Sequence, residues 1–83
     1  MWYVYILKSE KSGLLYTGMT ENIQTRLTQH NSGKSKFTKG HIPWTLVYSE
    51  EIGSTAEARK REKFFKSTHG KRFLKTKGIK TGL

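Results

Sequence analysis

Apolar residues arrive along the chain in separated clumps, and their spacing predicts the elements. Trp2–Leu7 is a continuous aromatic and aliphatic run, and Leu14–Gly18 is a second, shorter one. The polar stretch between them ends in Gly13 and reads as a hairpin loop. Pairing Leu7 with Leu14 sets Tyr5 opposite Tyr16, with both rings on one side of the sheet. Thr20 then reads as a helix N-cap, with Glu21 in a first turn that favours negative charge. Ile23 and Leu27 form the inward stripe of that helix, and Asn31-Ser32-Gly33 ends it. From Gly33 to Pro43 the pattern dissolves into a polar, basic loop. Trp44, Leu46 and Tyr48 alternate with Thr45 and Val47, which predicts a third strand to Ser49. Ser54-Thr55-Ala56-Glu57 is a capping box that opens a helix over 56–66, and Gly70 separates it from a short helix about Lys71–Lys75. The order β-β-α-β-α-α predicts an α+β domain over residues 1–76, a small three-stranded antiparallel sheet flanked by helices. Residues 77–83 read as a frayed basic tail.

Composition narrows the class of protein. A chain of 83 residues is one domain's worth. With no cysteine, neither a disulfide nor a thiolate zinc site supplements the core, which fits a reducing cytoplasm. No stretch reads as a leader or a membrane span, so we expect a cytoplasmic protein that makes no membrane contact. Charge changes the picture most. Sixteen Lys and Arg oppose six glutamates, for a net charge of +10, which points to a polyanionic partner and foremost nucleic acid.

Three places could carry chemistry. Tyr5 and Tyr16 are either a cross-strand aromatic pair or two phenols aimed at something polar. Arg26 and His30, four apart on one helix, share a face. They are either a solvated arginine with a histidine at the negative end of the helix, or a phosphate fork with a proton carrier beside it. Glu62 falls between Ala58 and Phe65 on the inward stripe of a helix otherwise crowded with Arg59, Lys60, Arg61, Lys63 and Lys66. An inward acid requires compensation, either by a neighbour such as Lys66 or by a metal ion.

Taken together, these residues resemble the GIY-YIG nuclease family. Tyr3-Val4-Tyr5 stands where the family has its first triplet, and Tyr16-Thr17-Gly18 where it has the second. Arg26 follows Tyr16 by ten, His30 follows Arg26 by four, and Glu62 follows Ala58 by four within a helix, as the metal-binding glutamate of the family does. The likeness spans residues 2 to about 66 and is greatest to short, single-domain bacterial members. Tyr3 and Thr17 depart from the glycine and isoleucine of the triplets. Some members add an asparagine near the metal late in the domain, whereas the asparagines here, Asn22 and Asn31, both precede Glu62.

The resemblance implies an endonuclease that hydrolyses phosphodiester bonds. Glu62 would hold one Mg²⁺ or Mn²⁺ ion, Arg26 would clamp a phosphate oxygen, and His30 would assist proton transfer or bind phosphate. Tyr5 or Tyr16 would take the proton from water if cationic surroundings ionise it. Lys34, Lys36, Lys39, Lys60 and Lys63 would hold the nucleic-acid backbone. DNA is expected ahead of RNA, including structured or branched DNA in repair or recombination, with low sequence preference or a partner protein that supplies specificity. The competing reading is a non-catalytic module that holds DNA or RNA.

Overall fold

The β1 strand, Trp2–Ser9, lies at the centre of the sheet in the computed structural model, which describes residues 1–79. It pairs antiparallel with β2, Leu15–Thr20, on one side and with β3, Trp44–Ile52, on the other. Helices α1, Ile23–Asn31, α2, Thr55–Lys66, and α3, Thr68–Thr76, complete the predicted α+β order. Val4, Tyr5, Ile6 and Leu7 are all buried because both faces of β1 are covered. Val4 and Ile6 pack with Ala58, Phe65 and Leu74 of α2 and α3. Tyr5 and Leu7 point the other way and pack with Trp44, Ile23 and Leu27. Among the described residues no helix is long and apolar enough to cross a membrane.

Several boundaries differ from the sequence reading, each for a local reason. The hairpin is tighter than expected: Ser9 N–H donates to the Leu14 carbonyl at 2.9 Å, and Gly13 N–H returns to the Ser9 carbonyl at 2.9 Å. Leu7 therefore pairs with Tyr16, and Tyr5 with Gly18. Thr20 remains strand-paired with Tyr3, so Asn22 caps α1 instead, accepting from Thr25 N–H at 3.0 Å, and Glu21 stays outside the helix. In β3 the register shifts at Val47, so Ile6 pairs with Tyr48 but Leu7 with Leu46. The apparent stripe Trp44-Leu46-Tyr48 is thereby split between the two faces.

Gly70 does not separate two helices. It lies buried in the first turn of α3, so close to the Phe64 carbonyl and Phe65 backbone that no Cβ fits there. Ser67 closes α2 and caps α3, accepting from Gly70 N–H. Residues 77–79, read as the start of the tail, close α3 instead. Gly78 takes φ +81°, its N–H meets the Lys75 carbonyl, and Ile79 N–H meets the Leu74 carbonyl. Residues 80–83 of that tail lie outside the described residues. Within the segment read as a loop, Thr38–His41 forms one 3-10 turn.

Candidate active site

The site is built around the Tyr5 phenol. Tyr5 sits on the central strand and is only 2% exposed, so its ring can leave the core only over a neighbouring strand. The cross-strand partner, Gly18, provides that path. A Cβ at position 18 would lie 2.5 Å from the Tyr5 oxygen and 2.6 Å from Cζ. The glycine of the second triplet is thus the floor on which the tyrosine of the first triplet lies, a relation the sequence reading missed. Tyr16, two residues from Gly18 on the same face, stands diagonally to Tyr5 with ring centroids 6.3 Å apart. The expected direct pairing is corrected by two residues, but a two-residue slip preserves the face.

From α1 comes His30, 0% exposed and bonded at both ring nitrogens. Its Nε2 meets Tyr5 Oη at 3.0 Å, and its Nδ1 meets Thr38 Oγ1 at 2.8 Å. One consistent proton assignment has Nδ1–H donating to Thr38 and Tyr5 O–H donating to Nε2, with the imidazole neutral. Burial, aided by the Arg26 charge, holds the His30 pKa below its usual value and so favours that neutral form. The surface histidine at a helix end is therefore replaced by a core histidine. Thr38 reaches it because the 3-10 turn is pinned from behind, with Trp44 Nε1–H donating to the Thr38 carbonyl at 2.8 Å. Asn31 fixes the end of α1 in the same way, its side chain bonding both the N–H and the carbonyl of Trp44 at 2.6 and 3.1 Å.

Arg26 is half-buried beside Tyr5 and His30, and its Nη1 donates to Gln29 Oε1 at 2.9 Å. The Tyr5 phenol feels opposing influences. Burial raises its pKa and outweighs the adjacent Arg26, with Tyr16 and Glu62 adding to the rise. Burial therefore favours the neutral phenol at Tyr5. Tyr16 differs in place: it is half-exposed, with its ring 4.9 Å from that of His30 and 6.0 Å from that of Phe37.

Glu62 approaches from α2, on the far side of the edge strand β2. Its side chain is 23% exposed, and Lys66 Nζ lies 3.3 Å from Oε2, so the neighbour pairing weighed from sequence is formed. Such an i,i+4 pair is worth only about 0.3–0.5 kcal/mol and gives way easily to a stronger partner. Among the described residues no group of three or more His, Cys, Asp or Glu gathers to cage a metal. A hard cation that keeps several waters and takes one carboxylate plus phosphate oxygens fits such a donor set. Glu62 is also not the sole half-buried acid. Glu50 on β3 accepts from Arg61 Nε and Nη2 at 2.9 and 2.7 Å and from Tyr48 Oη at 2.7 Å. Arg61 holds the Glu50 carboxyl below its usual range, while burial and this bond push Tyr48 up to about 12. Arg61 also lies over the Phe64 and Phe65 rings, so this cluster binds α2 to the sheet.

Of the five proposed catalytic residues, Tyr5, Tyr16, Arg26 and His30 come together, while Glu62 stands on α2 paired with Lys66. Lys34, Lys36 and Lys39 are exposed on the segment after α1, and Lys60 and Lys63 are exposed on α2. Lys66 and Lys71, which the reading left out of the binding set, line a groove with Tyr16 and Phe37. Comparison with known proteins identifies the family. Residues 1–77 match the family model described as the GIY-YIG catalytic domain. A UPF0213 protein of Staphylococcus haemolyticus is 49% identical over 61 residues, covering 72% of this chain and 73% of that one. Another, from Staphylococcus saprophyticus, is 42% identical over 74 residues, covering 88% of this chain and 89% of that one. The solution NMR structure of a UPF0213 protein from Bacillus halodurans matches with a TM-score of 0.57 and 36% identity, over 95% of this chain and 87% of that one. The chain belongs to the GIY-YIG family of nuclease domains, among its short, single-domain bacterial members.

Proposed function

We propose that this protein is a divalent-metal-dependent endonuclease that hydrolyses phosphodiester bonds in DNA, including structured or branched DNA of repair and recombination. The observation that carries the reading is the convergence of Arg26, His30 and Tyr16 on the Tyr5 phenol. A cross-strand aromatic pair alone has no need of a buried histidine or an arginine at its edge.

In this reading Tyr16 is the phenol that meets the attacking water, because it is half-exposed whereas Tyr5 is sealed. Tyr16, after giving its own phenolic proton to solvent, takes the water proton as phenolate, Arg26 forks a phosphate oxygen, and Tyr5 stays protonated as a donor to His30. Tyr5 and His30 hold Arg26 and Tyr16 from behind. Glu62 would hold a single Mg²⁺ or Mn²⁺ ion, which when bound supplies positive charge to the scissile phosphate and its leaving oxygen. Lys66, released from Glu62, joins Lys34, Lys36, Lys39, Lys60 and Lys63 in holding the backbone. None of these groups reads base edges, which favours low sequence preference or a partner protein.

Glu62→Gln tests the assignment. Cleavage of labelled DNA in Mg²⁺ or Mn²⁺ should collapse while DNA affinity holds or rises, because one repelling charge has gone. The fold should tolerate the change, since only a weak, solvent-screened pair with Lys66 is lost. Glu57→Gln serves as the control, because this exposed acid stands in the first turn of α2, away from the proposed site, and a glutamine is tolerated there. Wild-type cutting by Glu62→Gln would refute the metal site, and DNA binding with no cleavage by any preparation would return the protein to the binding-module reading.

A further inference from the structure

Phe37 is unexplained by folding or by the chemistry above. It is 58% exposed, an unusual position for a phenylalanine, and it precedes Thr38, which grips His30. Its ring centroid lies 6.0 Å from that of Tyr16 at 31° and 5.8 Å from that of His41 at 36°. With Leu15, Tyr16, Phe65, Lys66 and Lys71 it lines a groove of about 320 Å³ at the edge of β2. That volume is at the low end for a ligand site and suits one flat ring system. The wall is aromatic, the rim is cationic, and Lys36 and Lys39 flank Phe37 in the chain. An aromatic face beside lysines is what a nucleobase with flanking phosphates requires, since every base has a π-face and every link a negative charge.

We infer that Phe37, with Tyr16 behind it and Lys66 and Lys71 on the same groove, is a stacking site for one unpaired nucleobase of a DNA strand entering the site. The inference rests on the nuclease reading for the direction of the strand, whose next phosphates run to Tyr16 and Arg26. A base inside a duplex is stacked on both sides and cannot use Phe37. The preferred substrate is therefore a strand with at least one unpaired base beside the cut, as at a junction, a flap or a single-stranded stretch.

The test reads binding in chelator, so that it does not depend on turnover. The full chain is titrated onto a single-stranded DNA oligonucleotide carrying 2-aminopurine, whose fluorescence falls when it stacks. Wild type should quench the probe. Phe37→Ala should weaken binding by roughly 5- to 100-fold, the scale of one lost base–aromatic stack. Phe37→Leu should weaken it comparably, being apolar without a π-face, and Phe37→Trp should restore it. The melting temperature should barely move, because the side chain is largely exposed. The salt slope should stay unchanged in Phe37→Ala and become shallower in Lys71→Ala. On a fully paired duplex Phe37→Ala and wild type should bind alike. Wild-type affinity of Phe37→Leu or Phe37→Ala for the single strand overturns the stacking site, even if the enzyme cuts DNA. Quenching that depends on Phe37 in a protein that never cuts upholds the stacking site and removes the nuclease reading instead.

Discussion

Adding one methyl group at Gly18 should damage both stability and activity, although Gly18 carries no chemistry. The backbone is not the obstacle, since Gly18 is absent from the positive-φ glycines Gly13, Gly33 and Gly78. The obstacle is the Tyr5 ring, which a new Cβ would meet at 2.5 Å from the oxygen, 2.6 Å from Cζ and 3.0 Å from Cε1. Those separations are well inside contact distance, and Tyr5 is too enclosed to swing away. Overpacking of this kind costs about 1–3 kcal/mol. In a domain of this size that lowers Tm by roughly 5–20 °C, read by circular dichroism. The shifted phenol would also draw His30 off its 3.0 Å bond, and displacement by an ångström near a site costs on the order of 10² in rate. Tyr5→Phe in the Gly18→Ala background removes only the nearest of the three clashes. The double mutant should therefore lose less than the sum of the two single losses, a coupling that a double-mutant cycle would measure. If Gly18→Ala melts and cleaves like wild type, Tyr5 does not lie over β2 as described.

Further outcomes follow from the same geometry. Tyr16→Phe should lower the cleavage rate by on the order of 10² or more, as for a lost general base, with DNA affinity kept; Tyr5→Phe should instead lower both the rate and the stability, having lost its bond to His30. Stability should fall as pH drops from about 6.5 towards the lower pKa of buried His30, because the unfolded chain binds that proton first; urea titrations across this window should lose the His30 part of that slope in a His30→Gln variant that still folds. Asn31→Ala should cost about 1–3 kcal/mol in denaturant unfolding, since it strands the Trp44 N–H and carbonyl, and a value near zero would mean that water replaces the side chain.

Element types and order were legible because period and capping speak locally. The expected N-cap at Ser54 forms, with Ser54 Oγ accepting from Glu57 N–H, and Ala58 and Phe65 are buried as their spacing required. Register was less legible, because it depends on how the turn closes. The Ser9 side chain accepts from Lys11 and Ser12 N–H and donates to the His41 carbonyl, pinning a tighter hairpin from a distant segment. The error of two residues left the tyrosines on one face, whereas an error of one would have lost the site. The shift at Val47 had no local marker at all.

Spacing alone also could not tell which catalytic candidates lie inside the core and which line its rim. The i,i+4 step put Arg26 and His30 on one face of α1, yet Arg26 remains half-exposed and His30 is wholly enclosed. The difference comes from Thr38 and Trp44, which close over the C-terminal end of α1 and leave its middle open. Both belong to a stretch that either reads as a polar loop or opens a strand, so nothing local marks them as walls of a site. The outcome sorts the residues by task. Tyr5 and His30 are buried, neutral and bonded to each other, which suits them to hold a shape. Tyr16, Arg26 and Glu62 stand at the boundary, where water, phosphate and a hydrated cation can reach them. Because the holding residues are also core residues, selection for a stable fold and for an ordered site act on the same bonds. Substitutions at Gly18, Thr38 or Asn31, none of which would touch a substrate, are accordingly expected to alter stability and activity together.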